Sequence, residues 1–416
     1  MGGFCELGTD AAGNDGGGDD DGGPDPDAST DATPTSVACG TLALLRDDFA
    51  TAGDGPFFEP FMASNVTVTE STGRLVIDLA PGQDGYGGYE SFYQYNFLGG
   101  GELVTEVVEN SADNTILEVR NGLGNKAQLV EQNGQISAAL YNVASPGVLA
   151  TRAWNTSEVF WRIREENGDM LWETSANRQT WNLLHRRALP FDVTHVQGIV
   201  AAGGKVSTLS RSSFEQVNPD ATGSLFCPSA MLTDDFTTAG FYPAWYMYQN
   251  SGCTTTKSGG NLVLAFQVGS TSAFCGMDSS HLWDFSRGNG VAIDANTFPS
   301  TANFTSYMTA SLPGNNTTRI EFELDGTTLY MRILVNDAPM SPMTLTFNRT
   351  THRWWRLRGD GSSAIWETST DGSAWTERHR ATVPFSLTAL DFNIGGGRYG
   401  TIAAPLTITL PGINAN

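Results

Sequence analysis

The residues best suited to chemistry come in a cassette written twice, "LWETSANRQTWN" from Leu171 and "IWETSTDGSAWT" from Ile365. Ahead of each runs a stretch of alternating Trp and Arg, "WRIR" at Trp161 and "WRLR" at Trp355. Asn167-Gly168 is a preferred two-residue hairpin loop. A turn there sets Arg162 against Glu173, Ile163 against Trp172 and Trp161 against Thr174. The second cassette likewise sets Arg356 against Glu367 and Leu357 against Trp366. One face is then Trp and Ile, fit for a core. The other carries Arg162, Arg164 and Glu173, or Arg356, Arg358 and Glu367, and has two readings. It is a set of exposed cross-strand pairs contributing about 0.2–1 kcal/mol each, or a polar surface that hydrogen-bonds sugar hydroxyls.

Three other constellations bear on function. "EFELDG" alternates Glu321, Glu323 and Asp325, and paired carboxylates are the machinery of glycoside hydrolysis. Asp325-Gly326 also matches Asn133-Gly134 of "LVEQNG" as a hairpin turn, which accounts for the motif without catalysis, so no catalytic residue is assigned. Asp47-Asp48 and Asp234-Asp235 offer carboxylates to a structural Ca²⁺, which needs six or more oxygens; solvation of a strand edge is the alternative. "GYGGYESFYQY" gathers Tyr86, Tyr89, Tyr93 and Tyr95, with "HLWDFSRGNG", carrying Trp283, as its counterpart. Such rings suit stacking on pyranose faces or packing against a neighbouring domain. The histidines are scattered, and no Ser/His/Asp or Cys/His arrangement, phosphate loop or nucleotide fingerprint is present. Apart from that Ca²⁺, no cofactor is implied.

The elements that must position these residues repeat. "LLRDDFATAG" at Leu44 matches "MLTDDFTTAG" at Met231, "GRLVIDL" at Gly73 matches "GNLVLAF" at Gly260, and "RRALPF" at Arg186 matches "RATVPF" at Arg380. Short alternating apolar runs separated by turn signals fill both copies, and no periodic helical stripe interrupts them. The expected fold is all-β: two tandem antiparallel β-sandwich (jelly-roll) domains at 37–217 and 228–416, joined by a linker at 218–227. Residues 1–36, rich in Asp, Gly and Pro with almost nothing to bury, read as a disordered tether, reaching roughly 30 Å if fully flexible.

The formal net charge is −22, and nine acidic residues with no Lys or Arg fall in the tether. That balance repels phosphate backbones and anionic membrane surfaces, which argues against nucleic acid as a partner. Five cysteines without metal-ligand spacing point to an exported protein in an oxidising compartment.

The Asp-Asp-Phe openings, the Gly-x-Leu-Val strands that follow them and the late "WxRxR…WETS…W" hairpins resemble the concanavalin A-like lectin/glucanase jelly-roll superfamily, especially its laminin-G-like accessory modules. The resemblance spans both copies at the level of pattern. It implies curved sandwiches with any ligand on the concave sheet or at the rim loops. Jelly-roll termini lie side by side, so it also implies a Cys39–Cys227 disulfide closing the first copy, with Cys253–Cys275 stapling the second. Cys5, ahead of the tether, resembles the lipid-modified Cys of a bacterial lipoprotein, although Phe4 stands where that family has a small residue. The function expected is non-catalytic binding of a polysaccharide or other glycan outside a bacterial cell or at its surface, with membrane contact only through such an anchor. Two tandem modules gain avidity without new contacts. The alternatives are a structural or protein-adhesion module with a cell-surface protein partner and, third, a glycoside hydrolase.

Overall fold

The structure is a computed structural model describing residues 40–414 apart from 51–56, 223–224, 239, 242–243 and 289. The tether at 1–36, Cys5 and Cys39 lie outside the described residues. Strands and two three-residue 3-10 turns, Leu42–Leu44 and Ser229–Met231, make up the regular structure. The first half contains β1 (Phe58–Met62), β2 (Val66–Glu70), β3 (Leu75–Leu79), β4 (Asp84–Ser91), β5 (Glu102–Asn110), β6 (Asn114–Asn121) and β7 (Lys126–Gln132). It continues with β8 (Gln135–Tyr141), β9 (Gly147–Ala153), β10 (Phe160–Glu166), β11 (Asp169–Ser175), β12 (Asn182–Ala188), β13 (Val196–Lys205) and β14 (Ser210–Val217). The second half contains β15 (Cys227–Pro228), β16 (Trp245–Gln249), β17 (Cys253–Lys257), β18 (Leu262–Phe266), β19 (Ala273–Asp284), β20 (Val291–Asp294) and β21 (Phe304–Leu312). After these come β22 (Asn315–Asp325), β23 (Thr328–Val335), β24 (Ala338–Thr346), β25 (Trp354–Asp360), β26 (Ser363–Ser369), β27 (Thr376–Thr382), β28 (Leu390–Arg398) and β29 (Leu406–Leu410).

Two seven-stranded sheets form the first half, in the orders β1-β4-β13-β6-β7-β8-β9 and β12-β11-β10-β5-β14-β3-β2. In the second half an eight-stranded sheet carries β19-β28-β21-β22-β23-β24, with β15 and β16 both pairing with β19. Facing strands fall into β17-β18-β29 and β20-β25-β26-β27. Except for the parallel contact of β15 with β19, neighbouring strands run antiparallel. Alternation explains the layering: Leu75, Ile77 and Leu79 of β3 point inward and are fully buried, while Val76 and Asp78 point out. Each half has its own large apolar core, and Leu282 of the second half packs into that of the first.

The repeated hairpins pair as their sequence predicts. Trp161 lies opposite Thr174, Arg162 opposite Glu173 and Ile163 opposite Trp172, with the same register at Trp355, Arg356 and Leu357. Trp161, Trp172, Trp355 and Trp366 are fully buried. Asn167 and Gly168 both take left-handed φ, of 54° and 83°, as a two-residue hairpin loop of this kind requires. The turn expected at Asp325-Gly326 sits one residue later. Asp325 pairs with Thr328, leaving Gly326, at φ 57°, as the first loop residue. Asp325 is therefore a strand residue.

The Asp-Asp-Phe motif has a local explanation. Asp47 Oδ1 accepts the Phe49 N–H at 2.8 Å and Asp234 Oδ1 the Phe236 N–H at 2.7 Å. Those bonds hold Phe49 and Phe236 at φ 49° and 56° with both rings buried. Beside each turn lies an asparagine clamp. Asn218 Oδ1 accepts from the Val104 N–H at 2.7 Å, and its Nδ2 donates to the carbonyls of Leu42 and Leu45 at 2.8 and 2.9 Å. Asn414 Oδ1 accepts from the Ala292 N–H at 2.7 Å, and its Nδ2 donates to the Leu232 carbonyl at 2.9 Å. Asn218 belongs to the stretch expected to be a linker, yet it is buried at the end of the first sandwich.

The cysteine expectations need one correction. Cys253 and Cys275 are buried free thiols on strands of different sheets. Their sulfurs donate to the Asn250 and Thr254 carbonyls at 3.9 and 3.8 Å, and both act as small apolar core residues. Burial, reinforced by Cys253, pushes the Cys275 thiol well up. Cys227 is disulfide-bonded, and a methyl on Gly40 would lie 3.2 Å from its sulfur.

The far edge of the eight-stranded sheet is β24, exposed along nearly its whole length and holding Pro339 and Pro342. Its pairing with β23 shifts register between Met331 and Ile333, beside Ser341 at φ 45°. His379 Nε2 donates to the Ser341 carbonyl at 2.7 Å. Among the described residues, no helix is long and apolar enough to cross a membrane.

The clamps generate a prediction. Asn218→Ala or Asn414→Ala strands a buried N–H and at least one carbonyl, and each variant should lose about 1–3 kcal/mol of unfolding free energy in urea titrations. An unchanged midpoint would show that the clamp does not hold the termini of its half.

Candidate functional site

The polar hairpin faces are closed clusters. Glu173 is buried and accepts from Arg162 Nε at 2.8 Å and from Arg164 Nε and Nη2 at 2.8 and 3.3 Å. The Arg162 guanidinium lies over the Trp181 ring at 3.9 Å. Glu367 repeats this with Arg356 at 2.6 Å and Arg358 at 3.1 Å, and Arg356 lies over Trp375 at 4.3 Å. Each ring shields an arginine whose charge already has a partner. The groups are spent on one another rather than offered to a ligand. Burial pushes the Glu367 carboxyl up, but the hydrogen bonds and charges of Arg358 and Arg356 outweigh it and hold it below the usual carboxylate range.

The other expected residues scatter. Tyr86 is exposed, whereas Tyr89 is a core residue packed near Phe49 and Phe58. Three positions separate Tyr89 from Tyr86, so on a strand the two rings face opposite sides. Tyr93 is buried against the second half, its hydroxyl donating to Asp391 at 2.8 Å. Trp283 is half-buried, packs on the second core, and leaves its indole N–H buried without a partner. The calcium candidates serve turns and a cation. Asp48 accepts from the Ala50 N–H, Asp235 from Thr237, and Asp234 also takes Trp245 Nε1 at 2.6 Å and Lys257 Nζ at 3.0 Å. Among the described residues, no group of three or more His, Cys, Asp or Glu side chains is placed to hold a metal.

What the structure brings together instead is the non-core face of the large sheet in each half. In the first half Tyr86, Gly88 and Glu90 of β4 lie beside Ile199, Ala201 and Gly203 of β13. Arg120 pairs with Glu90 and approaches Gln197 at 3.4 Å, and Lys126 lies 3.7 Å from Glu118. A small apolar patch of Ile116, Ile199 and Ala201 sits between them. The Tyr86 hydroxyl accepts from Asn114 Nδ2 at 3.3 Å.

The second face is richer in hydroxyls and carboxylates. Phe274, Gly276 and Asp278 of β19 lie beside Gly397, Gly395 and Asn393 of β28. Next to these run Thr305, Tyr307 and Thr309 of β21, then Asp325, Glu323 and Glu321 of β22, then Tyr330 and Arg332 of β23. The Tyr248 and Tyr307 hydroxyls meet at 2.9 Å, and Tyr248 also donates to Asn393 Oδ1 at 3.2 Å. Thr305 donates to Glu323 at 2.7 Å, and Tyr399 donates to Asp325. Glu321 is buried between Arg319 and Arg332. Burial raises Glu323, with the Glu321 charge adding to it, and burial also raises Asp278. Asp391 is pushed up to about 7 by burial and by the Asp278 charge, against the lowering hydrogen bond from Tyr93.

One arrangement recurs in both faces. A methyl on Gly203 would lie 2.0 Å from the Tyr86 ring, and one on Gly397 would lie 2.1 Å from the Phe274 ring. Each ring thus occupies the room of a missing side chain and stays exposed, at 40% for Tyr86 and 36% for Phe274. Tyr248 uses the same device, its hydroxyl sitting where side chains on Gly276 and Gly395 would be. "YGGYES" from Tyr86 and "FCGMDS" from Phe274 share the aromatic first residue, the Gly at the third position, the acidic fifth and the final Ser, and that alignment is the signal in the sequence for Phe274 and Asp278. Nothing local announced Gly203 or Gly397. Chemically, each face offers an exposed ring bordered by groups that donate and accept hydrogen bonds.

A buried glutamate between two arginines makes a pH-dependent contribution. The folded-state pKa of Glu367 is depressed, so its stabilisation is complete above the unfolded value of about 4.3 and fades as pH falls through it. Thermal melts should show Glu367→Gln costing about 1–3 kcal/mol at neutral pH and less below pH about 4. An equal cost at both would remove the ion cluster as its cause.

No protein-family model matches the sequence, and no curated protein matches it. Solved structures do resemble part of the chain. A laminarinase from Flavobacterium sp. UMI-01 is 10% identical with a TM-score of 0.33, covering 42% of this chain and 97% of its own. A β-glucanase from Bacillus licheniformis is 14% identical with a TM-score of 0.33, covering 44% and 95%. A β-1,3-1,4-glucanase (lichenase) from a mouse hindgut metagenome is 10% identical with a TM-score of 0.32, covering 42% and 96%.

Proposed function

We propose that this chain is a non-catalytic glycan-binding protein that holds polysaccharide on the large-sheet faces of two tandem modules, outside the cell or tethered at its surface. The observation that carries the reading is the exposed ring over a glycine, present at the same place in both halves with hydrogen-bonding side chains around it. A pyranose offers an apolar face to such a ring and hydroxyls to the groups beside it. Ligation without hydrolysis is favoured by the state of the carboxylates. Glu321 is sealed between two arginines, and Asp325 is engaged by Tyr399. A retaining mechanism needs one accessible carboxylate nucleophile and an acid at a set distance, and Glu321 does not offer the first.

Affinity electrophoresis against laminarin, lichenan, chitosan and alginate tests the reading. Retention by at least one gel is expected, with no release of reducing sugar. Tyr86→Ala and Phe274→Ala should each weaken retention about threefold to tenfold, the loss of one stacking contact, while the melting temperature moves little. Migration unaffected by every polysaccharide would sink the reading; reducing-sugar release would turn it into a hydrolase.

A further inference from the structure

The carboxylates of the second-half face divide into two sets. Glu321 and Glu323 are answered by arginine, the first by Arg319 and Arg332 and the second by Arg332. Asp278 and Asp391 are not. They stand half-buried on the non-core side of neighbouring strands β19 and β28, close enough for the Asp278 charge to raise the Asp391 carboxyl. Asp278 accepts from Asn393 Nδ2, and Asp391 Oδ2 accepts from Tyr93 Oη at 2.8 Å. Among the described residues, no arginine, lysine or histidine lowers either carboxyl.

The duplicated ladder shows what is missing. In the first half Ile199 of β13 lies opposite Glu90 of β4 and Glu118 of β6, and Gln197 lies opposite Arg120. In the second half Asn393 of β28 lies opposite Asp278 of β19 and Thr309 of β21, and Asp391 lies opposite Ser311. Position by position, Asp278 stands for Glu90, Asp391 for Gln197 and Ser311 for Arg120. The Arg120 guanidinium bonds to Glu90 and approaches Gln197 Oε1 at 3.4 Å. The second half keeps the first acid, turns the amide into another acid, and replaces the arginine with serine.

A third acceptor lies at the same corner. Gln94, next to Tyr93 on the segment after β4, is 4% exposed. Its Nε2 donates at 3.2 Å to the hydroxyl of Tyr246, the residue opposite Asp278 across β16 and β19, and its Oε1 is buried without a partner. A buried acceptor without a donor is unfavourable. The corner thus lacks donors and positive charge together. A sugar hydroxyl brings one donor and acceptors of its own, whereas a primary ammonium brings three donors, no acceptor and a full charge. Ca²⁺ needs six or more oxygens, which two carboxylates and one amide do not supply. Asp278 also lies four residues along β19 from the exposed Phe274 ring, on the same side of the strand and roughly 13 Å away, so a saccharide chain seated on that ring reaches the corner.

We propose that this corner is a subsite for the primary ammonium of an amino sugar, held between Asp278 and Asp391 where the first half places its own Arg120. The proposal rests on the glycan-binding reading above and adds the class of glycan that the second face takes, one with free amino groups.

Calorimetric titration of the full chain tests it with three probes: a chitosan oligosaccharide, the same oligosaccharide N-acetylated, and an oligolysine of equal charge. The chitosan oligosaccharide should bind about tenfold more tightly than its N-acetylated form, and Asp278→Asn and Asp391→Asn should each remove about that factor. Asp360→Asn, which changes net charge equally at an exposed site, should leave binding unchanged. Ser311→Arg, which restores the cation of the first half, should abolish the preference for the free amine. Equal binding of the two oligosaccharides overturns the subsite, as does full binding in both Asp variants or an equal loss in Asp360→Asn. Oligolysine bound as tightly as the chitosan oligosaccharide overturns the amino sugar as the source of the ammonium. Should one of the corner variants not fold, the remaining ones decide. Retention by laminarin or lichenan without binding of the chitosan oligosaccharide overturns the subsite and leaves the glycan reading standing; a wild type that binds no saccharide overturns both.

Discussion

Everything in this chain hangs on closing each sandwich where its first and last strands meet. An open pair of sheets has loose ends, and a chain of short strands has little local stability to hold them. Asn218 and Asn414 each close the gap with a single side chain that joins two separate stretches of backbone: Val104 with Leu42 and Leu45 in the first half, Ala292 with Leu232 in the second. Beside them the Asp-Asp-Phe turns pin a buried phenylalanine in a left-handed conformation. These polar contacts are buried, so they contribute more through the cost of breaking them than through their intrinsic strength.

The sequence made the hairpins legible because alternation and turn chemistry are local. Trp161, Arg162 and Glu173 could be paired from Asn167-Gly168 alone, and the register follows. Tyr89 sits among glycines that weaken the alternation signal, but counting by twos along β4 sends it inward and Tyr86 outward. Tyr93 is buried by a partner far along the chain, and no window of sequence contains Asp391. Asn218 read as linker for the same reason, since its three partners are backbone atoms without a residue-specific signature. Cys253 and Cys275 lie close enough in sequence to suggest a staple, yet they are buried free thiols on strands of different sheets.

The two faces share a plan and differ in chemistry. Where the first half has Ile199 and Ala201 next to its exposed ring, the second has Asn393 and Gly395, and the space over the glycine is taken by Tyr248. The first face is held by pairs such as Arg120 with Glu90, and the second by hydroxyls and carboxylates whose pKa burial raises. Glycine works here by absence: it lets a ring lie down on the sheet, so the conformation of an exposed aromatic is set by a residue with no side chain. Replacing such a glycine would lift the ring without touching it chemically.

The outermost strand of the second half has a consequence for how copies of this chain coexist. A long sheet ending in an exposed strand invites another strand to add to it. β24 has proline at two of its positions, a register break at Ser341, and a carbonyl there already engaged by His379. An incoming backbone would find donors missing and the ladder out of step. The strand therefore works as a terminator of its own sheet.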